Sequence, residues 1–144
     1  MARILVGGPE GRHQDIHDSL VARLRLEHHV KYLKNDGQGM FWELIKTPLI
    51  AKEQRYELIL YDSDLFYHEA TPDKKIECFE ALTAKYLAGA QAPVLILAEM
   101  ELAMKLRPLV EKAGFMQIDE PYHLERAEDI ITEILGKGSC SKVK

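Results

Sequence analysis

Cysteines and long apolar segments are scarce in this chain. It has two cysteines, Cys78 and Cys140, in 144 residues, too few for a disulfide framework, so a reducing compartment is expected. No apolar run approaches the ~18 residues that a helix needs to span a bilayer. The amino terminus reaches Gly7-Gly8-Pro9 too soon to resemble a secretory signal. We therefore expect a cytoplasmic protein that has no membrane partner.

Positive charge is also in short supply. Lys and Arg number 19 against 23 Asp and Glu, a formal net charge of -4, so no positive surplus is available to neutralise the phosphates of nucleic acid. The length fits a single globular domain that folds without metal or disulfide. We predict one domain over residues 1–135 and a flexible C-terminal tail over residues 136–144, because the last residues are small, polar and basic.

Short apolar runs alternate with helical patterns along the chain. Continuous runs at residues 4–6, 58–61 and 94–97 predict buried parallel strands, and mixed runs at 30–33 and 116–119 predict strands nearer the sheet edges. Helical patterns lie at residues 16–24, 41–48, 76–86, 104–114 and 127–136. This alternation predicts an α/β protein, a flavodoxin-like (βα)5 three-layer sandwich whose parallel five-stranded sheet has the order 2-1-3-4-5.

Acidic residues collect where the strands of such a sheet end. Ligands of open parallel sheets bind beyond the carboxyl ends of the strands, and the residues that follow the first, third, fourth and fifth predicted strands include no lysine. The acidic residues of this rim are Glu10, Asp62, Asp64, Glu99, Asp119 and Glu120. Because crowded carboxylates repel one another, they must spread into water, share protons or bind a cation.

The order of these segments resembles the receiver (CheY-like) domain of bacterial two-component response regulators over residues 2–135. The segment 56–62 resembles the third strand that ends in the phosphoacceptor aspartate, and 92–97 resembles the fourth strand. Residues 112–114 and 120–122 resemble the end of the fourth helix and of the fifth strand. The resemblance implies a signalling domain with Asp62 at the phosphoacceptor position and a cis bond before Pro121.

Most of the residues that support phosphorylation in receivers are replaced. Receivers hold Mg²⁺ with two acids after the first strand, where this chain has Gly7 and Gly8. Ala98 replaces the hydroxyl residue at the end of the fourth strand, and Glu99 replaces the small residue that follows it. Glu120 replaces the lysine that precedes the proline, and Gln117 replaces the aromatic residue three positions before that lysine. Phosphoryl transfer relies on cations at developing negative charge. With acids and no basic group around Asp62, we predict a pseudo-receiver that is not phosphorylated, is not an enzyme and needs no cofactor.

The resemblance also implies a surface for partners. In receivers it is formed by the fourth helix, the fifth strand and the fifth helix, which correspond to residues 104–135 here. We place Gln117, Asp119, Tyr122 and His123 on that face. The prediction is a stand-alone signalling domain that acts through protein–protein interaction, with homodimerisation through this face as a hypothesis.

Two alternatives concern cations and phosphate at the rim. Asp62 could still accept a phosphoryl group by unconventional means, and Asp64, Glu99 and Glu120 could join it around Mg²⁺. Alternatively, the turn at residues 7–12 could bind a flavin or another small ligand through its phosphate. A tight turn without a ligand is the simpler interpretation of that segment.

A third alternative concerns zinc. His13 and His17 are four residues apart, so they lie on one face of the first predicted helix, and Glu10 or His68 could supply a further ligand. A solvated helix start is the simpler interpretation, because its acids complement the helix dipole.

Overall fold

Five strands and four helices make up the part of the chain that a computed structural model describes, residues 2–8, 14–34, 56–63, 71–85 and 92–143. The strands are β1 (Arg3–Gly8), β2 (His29–Lys34), β3 (Leu58–Asp62), β4 (Val94–Ala98) and β5 (Met116–Asp119). The helices are α1 (Gln14–Leu24), α2 (Pro72–Lys85), α3 (Ala103–Lys112) and α4 (Leu124–Val143). The helix predicted over residues 41–48 lies outside the described residues.

All strand pairs are parallel, and the sheet has the order β2-β1-β3-β4-β5. This confirms the predicted α/β architecture and strand order. The continuous apolar runs of β3 and β4 are buried along their whole length, because helices cover both faces of the sheet. None of the described helices is long and apolar enough to cross a membrane.

Alternate residues of each strand supply two separate hydrophobic cores. On one face, Ile4, Leu58 and Leu60 pack in a cluster with residues of α1 and α4. On the other face, Leu5 and Ile59 pack in a cluster with residues of α2 and α3. Side chains of successive strand residues point to opposite faces. Asp62 therefore points to the α1 and α4 face, in line with Leu58 and Leu60.

Two predicted element ends were wrong, and one was right. Gly7 and Gly8 belong to β1, where Gly7 pairs with Leu33 and Tyr61, so they are strand residues rather than part of a turn. The last helix does not end at Gly136 but continues to Val143, since a glycine inside a helix costs only ~1 kcal/mol relative to alanine. Gly114 follows α3 as predicted, with a φ of 79° that favours glycine. The flexibility of residues 136–144 stays a prediction.

Candidate functional site

The predicted phosphoacceptor position is already engaged by a basic side chain. Asp62 ends β3 and is fully buried, at 0% exposure. Nε2 of His17, in the second turn of α1, lies 2.8 Å from its Oδ2. A hydrogen bond of this length between charged partners is among the stronger kinds in proteins. The prediction that no basic group approaches Asp62 was therefore wrong.

A second carboxyl group shares the same imidazole. Glu120 directly follows β5, and its Oε2 lies 3.3 Å from Nε2 of His17. Glu120 is 3% exposed, and the bond that joins it to Pro121 is cis, as the resemblance implies. One ring nitrogen of His17 and one carboxylate oxygen each of Asp62 and Glu120 lie within 4.8 Å of one another. We call these three residues the His17 cluster.

The cluster binds more protons than its residues would in water. Burial alone lowers the pKa of an imidazole, but the hydrogen bonds and charges of Asp62 and Glu120 outweigh it and raise the pKa of His17 to about 9. Burial and the neighbouring Asp62 raise the pKa of Glu120 to about 8, although His17 acts in the opposite direction. At neutral pH the cluster thus contains an imidazolium at His17 and a protonated carboxyl group at Glu120.

Tyr122 orients the imidazole from its other side. The Tyr122 hydroxyl lies 2.7 Å from Nδ1 of His17, and the two rings stack with centroids 5.7 Å apart. Because both nitrogens of an imidazolium donate, Nδ1 donates to this hydroxyl while Nε2 donates to Asp62. Tyr122 is 7% exposed, so the prediction that it belongs to a partner surface was wrong.

The glycine at position 8 leaves room for this arrangement. A Cβ atom at Gly8 would lie 3.2 Å from Cδ2 of His17 and 3.7 Å from the ring and the hydroxyl of Tyr32. A longer acidic side chain at position 8 would need the space that these two rings fill. The absence of an acidic side chain at position 8 therefore leaves room for the buried imidazole of His17.

Glu99 belongs to a different ion pair. Nζ of Lys75, in the first turn of α2, lies 2.7 Å from Oε2 of Glu99, and both side chains are buried. The backbone N–H of Glu99 donates to the Ser63 hydroxyl at 2.9 Å, which fixes the segment after β4. Lys75 comes from a helix, so a survey of the strand ends alone could not find it.

The predicted acidic rim is thus divided into separate groups. Asp62 and Glu120 meet at His17, Glu99 pairs with Lys75, and Asp119 pairs with Arg107 at 2.8 Å on the exposed side of α3. Glu10 and Asp64 lie outside the described residues, as do His13 and His68 of the alternative zinc site. The expectation that Glu99 and Glu120 would both face Asp62 without a basic group was wrong, because each has one beside it.

The remaining predicted residues lie around β4 and β5. Ala98 is buried at the end of β4 and offers no hydroxyl group. The side-chain N–H groups of Gln117 donate to the Ala103 carbonyl at 3.0 Å and to Oδ1 of Asp119 at 2.8 Å. Asp119 and His123 are exposed. Of the four residues predicted on the partner face, these two are accessible and Gln117 is half-buried.

A signal for His17 was present in the sequence. His17 continues the buried stripe of α1, because Leu20, Val21 and Leu24 follow it by three, four and seven residues. A polar residue on such a stripe must find a buried partner. The stripe could therefore have shown that His17 points inward, although it could not identify Asp62 and Glu120 as its partners.

Structural comparison finds receiver domains. The chain is similar to a response regulator receiver protein from Burkholderia phymatum, with a TM-score of 0.59 and 15% identity over 94% of this chain and 96% of that one. It is also similar to the receiver domain of a Pseudomonas aeruginosa PAO1 sensor histidine kinase, with a magnesium ion coordinated in its active site cleft. There the TM-score is 0.56 and the identity 16%, over 94% and 98% of the two chains.

A third similar structure belongs to a longer protein. NtrX from Brucella abortus, solved in complex with ADP, matches with a TM-score of 0.57 and 15% identity over 98% of this chain and 28% of NtrX. No protein-family model and no curated protein sequence matches the chain. The chain therefore has the receiver fold.

Proposed function

We propose that this chain is a receiver-like signalling domain that acts through protein–protein contacts and is not phosphorylated on aspartate. The observation that carries the proposal is the 2.8 Å contact between His17 and the fully buried Asp62. A phosphoryl group on Asp62 would have to displace this imidazole. It would also add negative charge next to Glu120, and the buried ammonium group of Lys75 is already paired with Glu99.

The residues around Asp62 also do not suit the Mg²⁺ ion that receivers use. Mg²⁺ requires near-octahedral oxygen ligands and binds through carboxylates and water. Here Gly7 and Gly8 offer no carboxylate, and the ring of His17 lies against Gly8. Ala98 offers no hydroxyl for a phosphoryl oxygen. The proposed function therefore has no step that depends on Mg²⁺ or on an acyl phosphate.

Incubation with acetyl phosphate and Mg²⁺, followed by intact mass measurement, tests this proposal. We expect the mass to stay unchanged. A gain of about 80 Da, the mass of a transferred phosphoryl group, that disappears in Asp62→Asn would show instead that the domain is phosphorylated by unconventional means. A gain that persists in Asp62→Asn marks another residue and leaves the proposal intact.

For the partner contact, we propose the surface formed by α3, β5 and α4. β5 is an edge strand of the sheet, and two large apolar side chains of these elements are exposed, Met104 of α3 at 87% and Met116 of β5 at 43%. Exposed apolar side chains at a polar rim are typical of protein contact sites. The exposed Asp119 and His123 supply polar groups on the same surface.

Homodimerisation is the first version of this contact to test. We expect light scattering at rising concentration to reveal a dimer that Met104→Glu disrupts. Leu26→Glu is the matched control, because Leu26 is 84% exposed but follows α1, outside the proposed surface. A protein that stays monomeric at high concentration would exclude the dimer and leave a different protein as the partner.

A further inference from the structure

We infer that the side chain of His17 takes the place of the divalent cation in this receiver fold, so that the domain carries its own internal cation at neutral pH. The inference rests on the proposed function and deepens it, because it explains how the site remains intact without metal. It concerns only the charge at the carboxyl ends of β1, β3 and β5, where His17, Asp62 and Glu120 meet.

The first support is the position of Nε2. It lies 2.8 Å from Asp62 and 3.3 Å from Glu120, so a single positive group contacts both carboxyl groups. Buried carboxyl groups at this spacing need a cation or a shared proton, since two like charges in a desolvated site cannot both remain ionised. The imidazole supplies the cation from within the chain, and the raised pKa of His17 agrees with this role.

The second support is the fit between His17 and Gly8. The position that carries a metal-binding acid in receivers has no side chain here, and a Cβ atom there would lie 3.2 Å from the imidazole. The ring therefore fills the space that an acid at position 8 would use. An acid at position 8 would therefore force the imidazole of His17 to shift.

The third support is that the groups around the imidazole hold it in place. Asp62 comes from β3, and Glu120 and Tyr122 follow β5. Tyr32 of β2 approaches the same glycine from the side, and Asp18 is the next residue along α1. Burial and nearby carboxylates raise the pKa of both tyrosines, so their hydroxyl groups stay neutral and do not add negative charge beside the imidazolium.

Divalent cation binding by purified variants tests the inference. We expect MgCl₂, MnCl₂ and ZnCl₂ to leave the melting temperature of the wild type unchanged. The double variant Gly8→Asp/His17→Ala places three carboxyl groups together without the imidazole, so it is expected to bind Mn²⁺. A melting temperature rise of about 5 °C corresponds to a concentration some tenfold above the dissociation constant.

The single variants Gly8→Asp and His17→Ala are the matched controls. Should the double variant not fold, His17→Ala takes its place, because it leaves Asp62 and Glu120 without their internal cation. Binding of any of the three metals by the wild type, lost in His17→Ala, would overturn the inference by making His17 a ligand. Absence of metal binding in every folded variant that lacks His17 would overturn it as well.

These outcomes are distinct from the test of the proposed function. A wild type that binds metal but gains no mass with acetyl phosphate would contradict the internal cation alone. A wild type that binds no metal but is phosphorylated on Asp62 would contradict the proposed function alone.

Discussion

Two buried charged groups lie at the carboxyl edge of the sheet, and they neutralise their charges differently. Lys75 and Glu99 form a buried ion pair at 2.7 Å, which contains one charge of each sign and is neutral without an additional proton. The His17 cluster has two carboxyl groups for one imidazole, so it is neutral only when it holds one extra proton. The net charge of the Lys75–Glu99 pair is zero because the pair contains one charge of each sign, whereas the net charge of the His17 cluster depends on pH.

The comparison explains why the rim tolerates so many acids. Buried ions cost several kcal/mol each unless they are paired and hydrogen-bonded. A lysine from α2 compensates Glu99, and a histidine from α1 compensates Asp62 and Glu120. Since removal of a partner should affect the two groups differently, matched substitutions can separate them.

The largest expected effect is that of Glu99→Gln. It removes the carboxylate that Nζ of Lys75 contacts at 2.7 Å in a buried site, so we expect the free energy of unfolding to fall by about 3–5 kcal/mol, measured by urea titration. Glu77→Gln is the matched control on the same helix, because its pair with Lys74 is exposed and is worth less than ~1 kcal/mol. Equal losses in the two variants would refute the buried-pair account.

The second prediction is a loss of wild-type stability as pH rises from 6 to 9.5. The pKa values of His17 and Glu120 are raised from 6.5 and 4.5 to about 9 and about 8. The folded state therefore binds more protons than the unfolded state in this range. This stability is complete below the unfolded pKa values and is lost as the pH passes the folded ones.

Urea titration at each pH measures this profile. The double variant His17→Gln/Glu120→Gln has no such titrating groups, so its profile should be flatter than that of the wild type. A wild-type protein that is as stable at pH 9.5 as at pH 6 would contradict the protonation assigned to the cluster.

The third prediction concerns Gly8→Ala. Its Cβ atom would lie 3.2 Å from His17, so we expect a loss of about 1 kcal/mol from overpacking. In the His17→Ala background the same change should be neutral or stabilising, which a double-mutant cycle detects. Gly136→Ala is the control, because nothing lies within 4 Å of its Cβ position. Additive effects would show that Gly8 and His17 are independent.

The smallest expected effect is that of Glu120→Gln. It removes the surplus carboxyl group and leaves His17 paired with Asp62, so the stability at pH 6 should change by less than ~1 kcal/mol. At pH 9.5 the variant should be more stable than the wild type in the same urea titration. A loss of unfolding free energy at pH 6 as large as that of Glu99→Gln would mean that Glu120 is not a surplus carboxyl group of the His17 cluster.

The sheet could be predicted from the sequence because its cause is local. Continuous apolar runs such as Val94–Leu97 indicate a strand that is buried on both faces. Mixed runs at 30–33 and 116–119 indicate strands near the sheet edges, and this contrast predicts the strand order. The predicted end of the last helix, at Gly136, was wrong. A single glycine disfavours a helix only slightly, so the helix continues to Val143.

The site could be predicted only in part. Asp62 and the replaced positions Gly8, Ala98 and Glu120 follow from the resemblance, but their counter-ions do not. His17 and Lys75 lie 45 and 24 residues from the acids that they contact. Which helix faces approach the strand ends is a property of tertiary packing, so the sequence alone overstated the negative charge around Asp62.

The protonation state of His17 tests the account most directly. Long-range ¹H–¹⁵N NMR spectra at pH 7.5, with the His17 signals assigned by their loss in His17→Gln, report whether each ring nitrogen carries a proton. The account predicts protons on both nitrogens, with Nδ1–H directed to Tyr122 and Nε2–H to Asp62. A His17 ring with an unprotonated nitrogen at this pH would contradict it.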